Sequence, residues 1–233
     1  MCIALYLPKY VTVDRKTLFN CYESNPDGFG YSYFDMDGKL QIRKFIGQDN
    51  IILGIEEFLL TRDYFKSKQF LAHFRIASHG KISKKTCHPF KINDEMVFCH
   101  NGILCDFTDK LSIDSKISDT MLFNRKVFQK LPHNFMNLPV YKKMLEETIG
   151  QFNKMIIMRR DGQHWILNED VGEWHEGVWF SNDSYKPFDY ITNYDYQVTT
   201  PHVPLYKRAY LWCKKFIEIL PDVKEYAKEL MEE

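Results

Sequence analysis

The sequence predicts an α+β protein in which helices cover antiparallel strands. Three observations carry that expectation. β-prone runs are broken by the turn dipeptides Asp37-Gly38 and Asp161-Gly162, apolar residues recur at helical spacing over 50–65 and 118–131, and no low-complexity linker or repeat divides the chain. With 45% apolar and 27% charged residues, the 233-residue chain can bury a core of ordinary size.

Taken in order, Cys2 to Leu7 is an apolar run that reads as a buried strand, and Asp14 to Tyr22 reads as a short helix with polar caps. The region 30–46 reads as a hairpin, with Tyr31, Tyr33 and Phe34 before Asp37-Gly38 and Leu40, Ile42 and Phe45 after it. Asn50 to Phe65 places Ile51, Ile52, Ile55, Phe58 and Leu59 on one helical face. Gln69 to Ala77 and Met96 to His100 read as buried strands. Ser118 to Leu131 reads as a helix capped by Ser118, with Met121, Leu122, Val127 and Phe128 inward. Met155 to Met158 and His164 to Leu167 flank the second turn dipeptide, and Val178 to Ser181 adds a strand. Leu205 to Leu220 and Val223 to Met231 read as helices broken at Pro221. The expected organisation is a main domain over 2–200 and a C-terminal helical extension over 201–233, packed on it or docking a partner.

Charge excludes some function classes. Lys+Arg and Asp+Glu number 31 each, for a formal net charge of +0, so no global field draws phosphate or an acidic membrane surface. Neither nucleic acid nor membrane is an expected partner. No signal peptide or bilayer-length apolar run is visible, and the expected location is cytoplasmic. The 6 cysteines, at 2, 21, 87, 99, 105 and 213, show no C-x-x-C spacing and read as reduced thiols. No metal site and no cofactor are expected.

Chemistry-bearing residues collect at predicted strand ends and helix starts, where a rigid scaffold presents functional groups. The stretches are NPDGFG from Asn25, HFRIASHG from His73, CHPF from Cys87, CHNGIL from Cys99 and SDT from Ser118. Arg75 offers a planar fork to a carboxylate and Asp119 offers a counter-charge to an ammonium. Each also has a structural reading, as a surface ion-pair partner and as a first-turn helix residue. Asn101-Gly102 supplies an amide and a closely approachable N–H, the requirements of an oxyanion hole, or else a tight turn. Cys2 follows Met1 directly, and once Met1 is removed it would carry a thiol and a free α-amino base on one residue.

In order and spacing, these stretches resemble the class II glutamine amidotransferase domain of the N-terminal-nucleophile hydrolases, in its compact stand-alone branch. That family starts its mature chain with Cys and carries a strand pattern like H-T-R-W-A-T-H-G, a later H-N-G, and S-D-T at a helix start. Here stand Cys2, His73 to Gly80, His100-Asn101-Gly102 and Ser118-Asp119-Thr120, and the likeness continues to Gly177 to Asn182. The resemblance implies a four-layer αββα sandwich of two antiparallel sheets. It implies Cys2 as nucleophile with its α-amino group as base, Asn101 and Gly102 as oxyanion hole, Arg75 on the α-carboxylate and Asp119 on the α-ammonium. Ile76, Ser78 and His79 would line the substrate slot. His73 and His100 would be structural, hydrogen-bonded to backbone.

The implied activity is hydrolysis of the glutamine side-chain amide through a γ-glutamyl thioester, giving glutamate and ammonia for an unidentified acceptor, with a separate ammonia-accepting synthetase as one candidate partner. Two alternatives stay open: a γ-glutamyl amide or peptide hydrolase, and a non-catalytic binding module. The sequence departs from the family at Ser24-Asn25, where an Arg-Gly pair is usual, at Ser78 for Thr, and at Ile76 for Trp or Lys.

Overall fold

The computed structural model describes residues 2–77, 80–108 and 115–187. Ser78, His79 and the helices expected over 205–231 lie outside the described residues.

Two antiparallel sheets form the centre. The larger runs β3 (Leu40–Phe45), β2 (Gly28–Phe34), β4 (Phe70–Arg75), β1 (Ile3–Leu7), β10 (Val178–Phe180), β9 (Glu173–His175). The smaller runs β5 (Phe90–Lys91), β6 (Met96–Asn101), β7 (Lys154–Arg159), β8 (His164–Leu167). Ala4, Tyr6, Leu71 and Trp179 of the first sheet pack against Val97, Cys99, Ile156 and Met158 of the second.

Helices cover both outer faces. α1 (Arg15–Ser24) and α2 (Gln48–Tyr64) lie over the larger sheet, where the Phe58 ring meets Phe29 at 6.0 Å and Tyr31 at 5.3 Å. α3 (Asp119–Lys126) and α4 (Pro139–Ile149) lie over the smaller sheet, where Phe123, Phe128, Leu145 and Ile149 bury Phe98, Met155 and Ile157. Each fully buried side chain of this size contributes about 1.5–3 kcal/mol before entropy is counted. The layers run helix, sheet, sheet, helix, which is the αββα sandwich.

Strand periodicity decides what faces what, because successive side chains point to opposite faces. In β4, Phe70 and Phe74 stack on Tyr33 and Phe29 beneath α2, so Leu71, His73 and Arg75 face the second sheet. In β6, Met96 and Phe98 face α3 while Val97 and Cys99 face the first sheet. His100 therefore turns toward α3, and Asn101 turns toward the inter-sheet space. Ala4 and Tyr6 put Cys2 on that same inter-sheet side, and Trp179 puts Ser181 there too.

Some expectations change. The helix expected to run to Leu131 stops at Lys126, and Phe128–Lys130 continues as a separate 3₁₀ turn before Pro132. Its buried residues are Asp119, Thr120, Phe123 and Asn124; Met121, Leu122 and Val127 are only partly buried, while Phe128 is fully buried as expected. Ser118 caps it as expected, accepting from Met121 N–H at 3.2 Å. The strands β5 and β9 and the helix α4 were not foreseen. β9 is exposed along its length and β5 has two residues, so neither carries a burial signal; α4 buries only Leu145 and Ile149.

Candidate active site

The strand register brings the expected residues to one end of the sandwich. β1 pairs with β4 through Ile3 opposite Phe74, so one step further Cys2 reaches the level of Arg75. On its other side β1 pairs Leu5 with Phe180, which brings Ser181 level with Ala4. β6 ends at Asn101, in the facing sheet.

Cys2 is half-buried, and its thiol engages the main chain of Ile76 in both directions. Sγ donates to the Ile76 carbonyl at 3.2 Å and accepts from the Ile76 N–H at 3.4 Å. With Met1 in place, burial pushes the Cys2 thiol pKa up, opposed by the Ile76 N–H and the positive charge of Arg75. Asn182 fixes the same residue from behind, its Nδ2 donating to the Cys2 carbonyl at 2.7 Å.

The end of β4 is held by Asp27. Its N–H donates to the Arg75 carbonyl at 2.9 Å, and its Oδ2 accepts from Ala77 N–H at 2.7 Å. Arg75 itself is buried and reaches the turn beyond, its Nη2 donating to the Gly80 carbonyl at 2.8 Å. The Ile76 side chain stands 38% exposed at the rim, so of this residue it is the backbone that touches the thiol.

On the facing sheet, Asn101 is buried and its Nδ2 donates to Ser181 Oγ at 2.7 Å. Gly102 follows at φ +142, and a Cβ there would collide with the Asn153 side chain, so only glycine fits. Asp119 ties the loop after Gly102 to α3: Oδ2 accepts from Leu104 N–H at 2.9 Å and Oδ1 from Thr120 N–H at 2.7 Å.

His73 donates from Nε2 to the His100 carbonyl at 3.1 Å, as expected of a structural histidine, and burial pulls its pKa down to about 3. His100 departs from expectation. Its partners are side chains, Thr120 Oγ1 at 2.8 Å on Nδ1 and Asn153 Oδ1 at 2.8 Å on Nε2. Asn153 Nδ2 donates to the Ile149 carbonyl, so Oδ1 is an acceptor and the His100 proton sits on Nε2. The imidazole thus buttresses the Asn101-Gly102 turn from the α3 side.

The cysteines at 21, 87, 99 and 105 are free thiols, the first three buried, and burial pushes the Cys87 thiol up to about 11. Among the described residues no helix is long and apolar enough to cross a membrane.

Sequence reasoning named Cys2, Arg75, Ile76, Asn101, Gly102 and Asp119, and the strand ends gather Cys2, Arg75, Ile76 and Asn101. It missed Ser181, Asn182, Asp27 and Asn153 as site residues. Asp27 stood inside a noted motif and Ser181-Asn182 closed another, whereas nothing local marks Asn153.

Two antiparallel sheets packed face to face between helices form the αββα sandwich of the N-terminal-nucleophile hydrolase fold. Residues 11–155 match the family of class II glutamine amidotransferases, and the chain belongs to that family. A 90-residue stretch is also 37% identical to an uncharacterized protein of Methanocaldococcus jannaschii, covering 37% of this chain and 24% of that protein. The match thus spans about a quarter of that relative's length.

Proposed function

We propose that the protein hydrolyses the side-chain amide of glutamine through a γ-glutamyl thioester on Cys2. The observation that supports this reading is that the Cys2 thiol, held on the Ile76 backbone, and the Arg75 and Asn101 side chains lie on the inter-sheet side at one end of the sandwich.

In the proposed cycle, removal of Met1 frees the Cys2 α-amino group, which takes the thiol proton now shared with the Ile76 carbonyl. The thiolate attacks the amide carbon, and the oxygen that gains charge is held by the Asn101 amide and the Gly102 N–H. The amine returns its proton to the leaving nitrogen, ammonia departs, and water, deprotonated by the same amine, cleaves the thioester to glutamate. Arg75 binds the α-carboxylate and Asp119 the α-ammonium. Ile76, Ser78 and His79 are the remaining proposed substrate-binding residues. The ammonia is passed to an acceptor on a separate synthetase.

The test is intact mass before and after 6-diazo-5-oxo-norleucine, together with glutamate release from glutamine and from γ-glutamyl peptides. Loss of Met1 and one adduct on Cys2, with glutamine the better substrate, is the expected result. A retained Met1 with no adduct and no glutamate overturns the reading. Preference for a peptide would keep the chemistry and replace the donor.

A further inference from the structure

Ser181 sits where three parts of the site meet. It is fully buried, its N–H donates to the Ala4 carbonyl at 3.0 Å, and its Oγ accepts from Ala4 N–H at 2.9 Å. The same Oγ accepts from Asn101 Nδ2 at 2.7 Å. Both contacts use Ser181 as an acceptor, so among the described residues its own proton meets no acceptor. Across the amide, Asn101 Oδ1 is buried and has no partner.

Turning the amide over reverses this hydrogen bond and moves the unmet group from Oδ1 to Nδ2, the orientation that an oxyanion donor requires. Half a turn of the Asn101 amide leaves its shape unchanged and exchanges oxygen for nitrogen. Ser181 O–H then donates to Oδ1 while Oγ still accepts from Ala4 N–H. The Asn101 Nδ2 moves to the side turned away from Ser181, as a donor with no acceptor among the described residues.

We infer that Ser181 is a positioning residue that locks the Asn101 amide with its oxygen toward β10 and its nitrogen toward the substrate. The inference rests on the amidohydrolase reading above, in which Nδ2 meets the developing oxyanion. A hydroxyl suits this task because Ala4 N–H occupies one of its acceptor sites, which directs its proton to Asn101. The amide then cannot turn its oxygen toward a developing negative charge. Ser181 is also anchored to β1 through Ala4, which holds its hydroxyl in place for Asn101.

The test is a double-mutant cycle of Ser181→Ala and Asn101→Ala on glutamate release, with a neutron structure of the deuterated wild type. Ser181→Ala should lower kcat about 10²-fold, the scale of one lost oxyanion donor, and leave KM for glutamine within about threefold. The double variant should be no slower than Asn101→Ala alone. Fully additive losses would mean that Ser181 acts through Ala4 and Cys2, and would overturn the inference. The neutron map should show the Ser181 deuteron aimed at Asn101 Oδ1; deuterons on the amide nitrogen aimed at Ser181 would overturn it without reference to activity. A wild type with no glutaminase activity would defeat the functional reading, and the map would still decide the orientation.

Discussion

The two sheets hold their halves of the site by different means. On the first sheet, functional atoms are fixed by main chain: Cys2 Sγ lies between the carbonyl and N–H of Ile76, and Asp27 and Asn182 hold backbone groups of Ala77 and Cys2. On the second sheet, side chains are fixed by side chains, in the pairs Asn101 with Ser181 and His100 with Thr120 and Asn153. Backbone positions survive most substitutions, so the first half depends on few residue identities. The second half depends on several at once, because each buried polar group needs its particular partner.

The largest effect should come from the first half. Cys2→Ala should reduce glutamate release on the order of 10⁴-fold or more, since it removes the proposed nucleophile. The melting temperature should stay within a few degrees, because the backbone contacts of β1 persist. Comparable release by the variant would assign the nucleophile elsewhere.

Next comes Gly102→Ala on the second half. The positive φ and the Asn153 side chain leave no room for a Cβ, so the turn must move. A loss of about 10²-fold in kcat is expected if the turn carries the proposed oxyanion donor. Asn153→Ala in the same background relieves the clash and should recover part of it. No recovery would mean that the Asn153 contact is not what excludes the side chain.

A smaller effect separates the halves more finely. Asp27→Ala removes the acceptor for Ala77 N–H and frees the segment that carries the Ile76 backbone. About a tenfold fall in kcat/KM is expected from a misplaced thiol. An unchanged rate of Cys2 alkylation would show that Ile76 holds its place without Asp27.

The same contrast explains what could be read from the sequence. Cys2, Arg75 and Asn101 are strand-end residues, and strand alternation fixes their facing once the apolar pattern of β1, β4 and β6 is known. Asp119 and Thr120 were legible as a motif, but the burial of α3 was not. Its inward face begins with those two polar residues, so choosing apolar positions as the core turned the helix toward Met121 and Leu122 instead of Phe123. Polar residues that pack inward carry no periodicity signal. The partners of His100 failed for the same reason: Asn153 lies 53 residues away and comes near only because β7 pairs with β6.

The smallest expected effect concerns two buried histidines whose rings lie 6.3 Å apart. His100 has a partner on each nitrogen, whereas neither nitrogen of His88 has one among the described residues. The His88 ring lies tilted against His73 at 4.1 Å, and the groups that bear on its charge are His73, His100, Lys44 and Arg75, all positive when protonated. Burial, then these neighbours, hold its pKa well below the ordinary value of about 6.5. A depressed folded-state pKa means that the unfolded chain takes up protons first, so stability is full above about pH 6.5 and falls as the pH drops below it. His73 and His100 are depressed as well and contribute in the same direction. Between pH 7.5 and 5.5 each histidine kept neutral should cost about 1.4 kcal/mol of unfolding free energy. Urea unfolding of wild type and His88→Phe at both pH values measures this. The variant should lose about 1.4 kcal/mol less than wild type over the interval. Equal losses would mean that His88 takes up a proton in the folded protein, which would place an acceptor beside a ring that now has none.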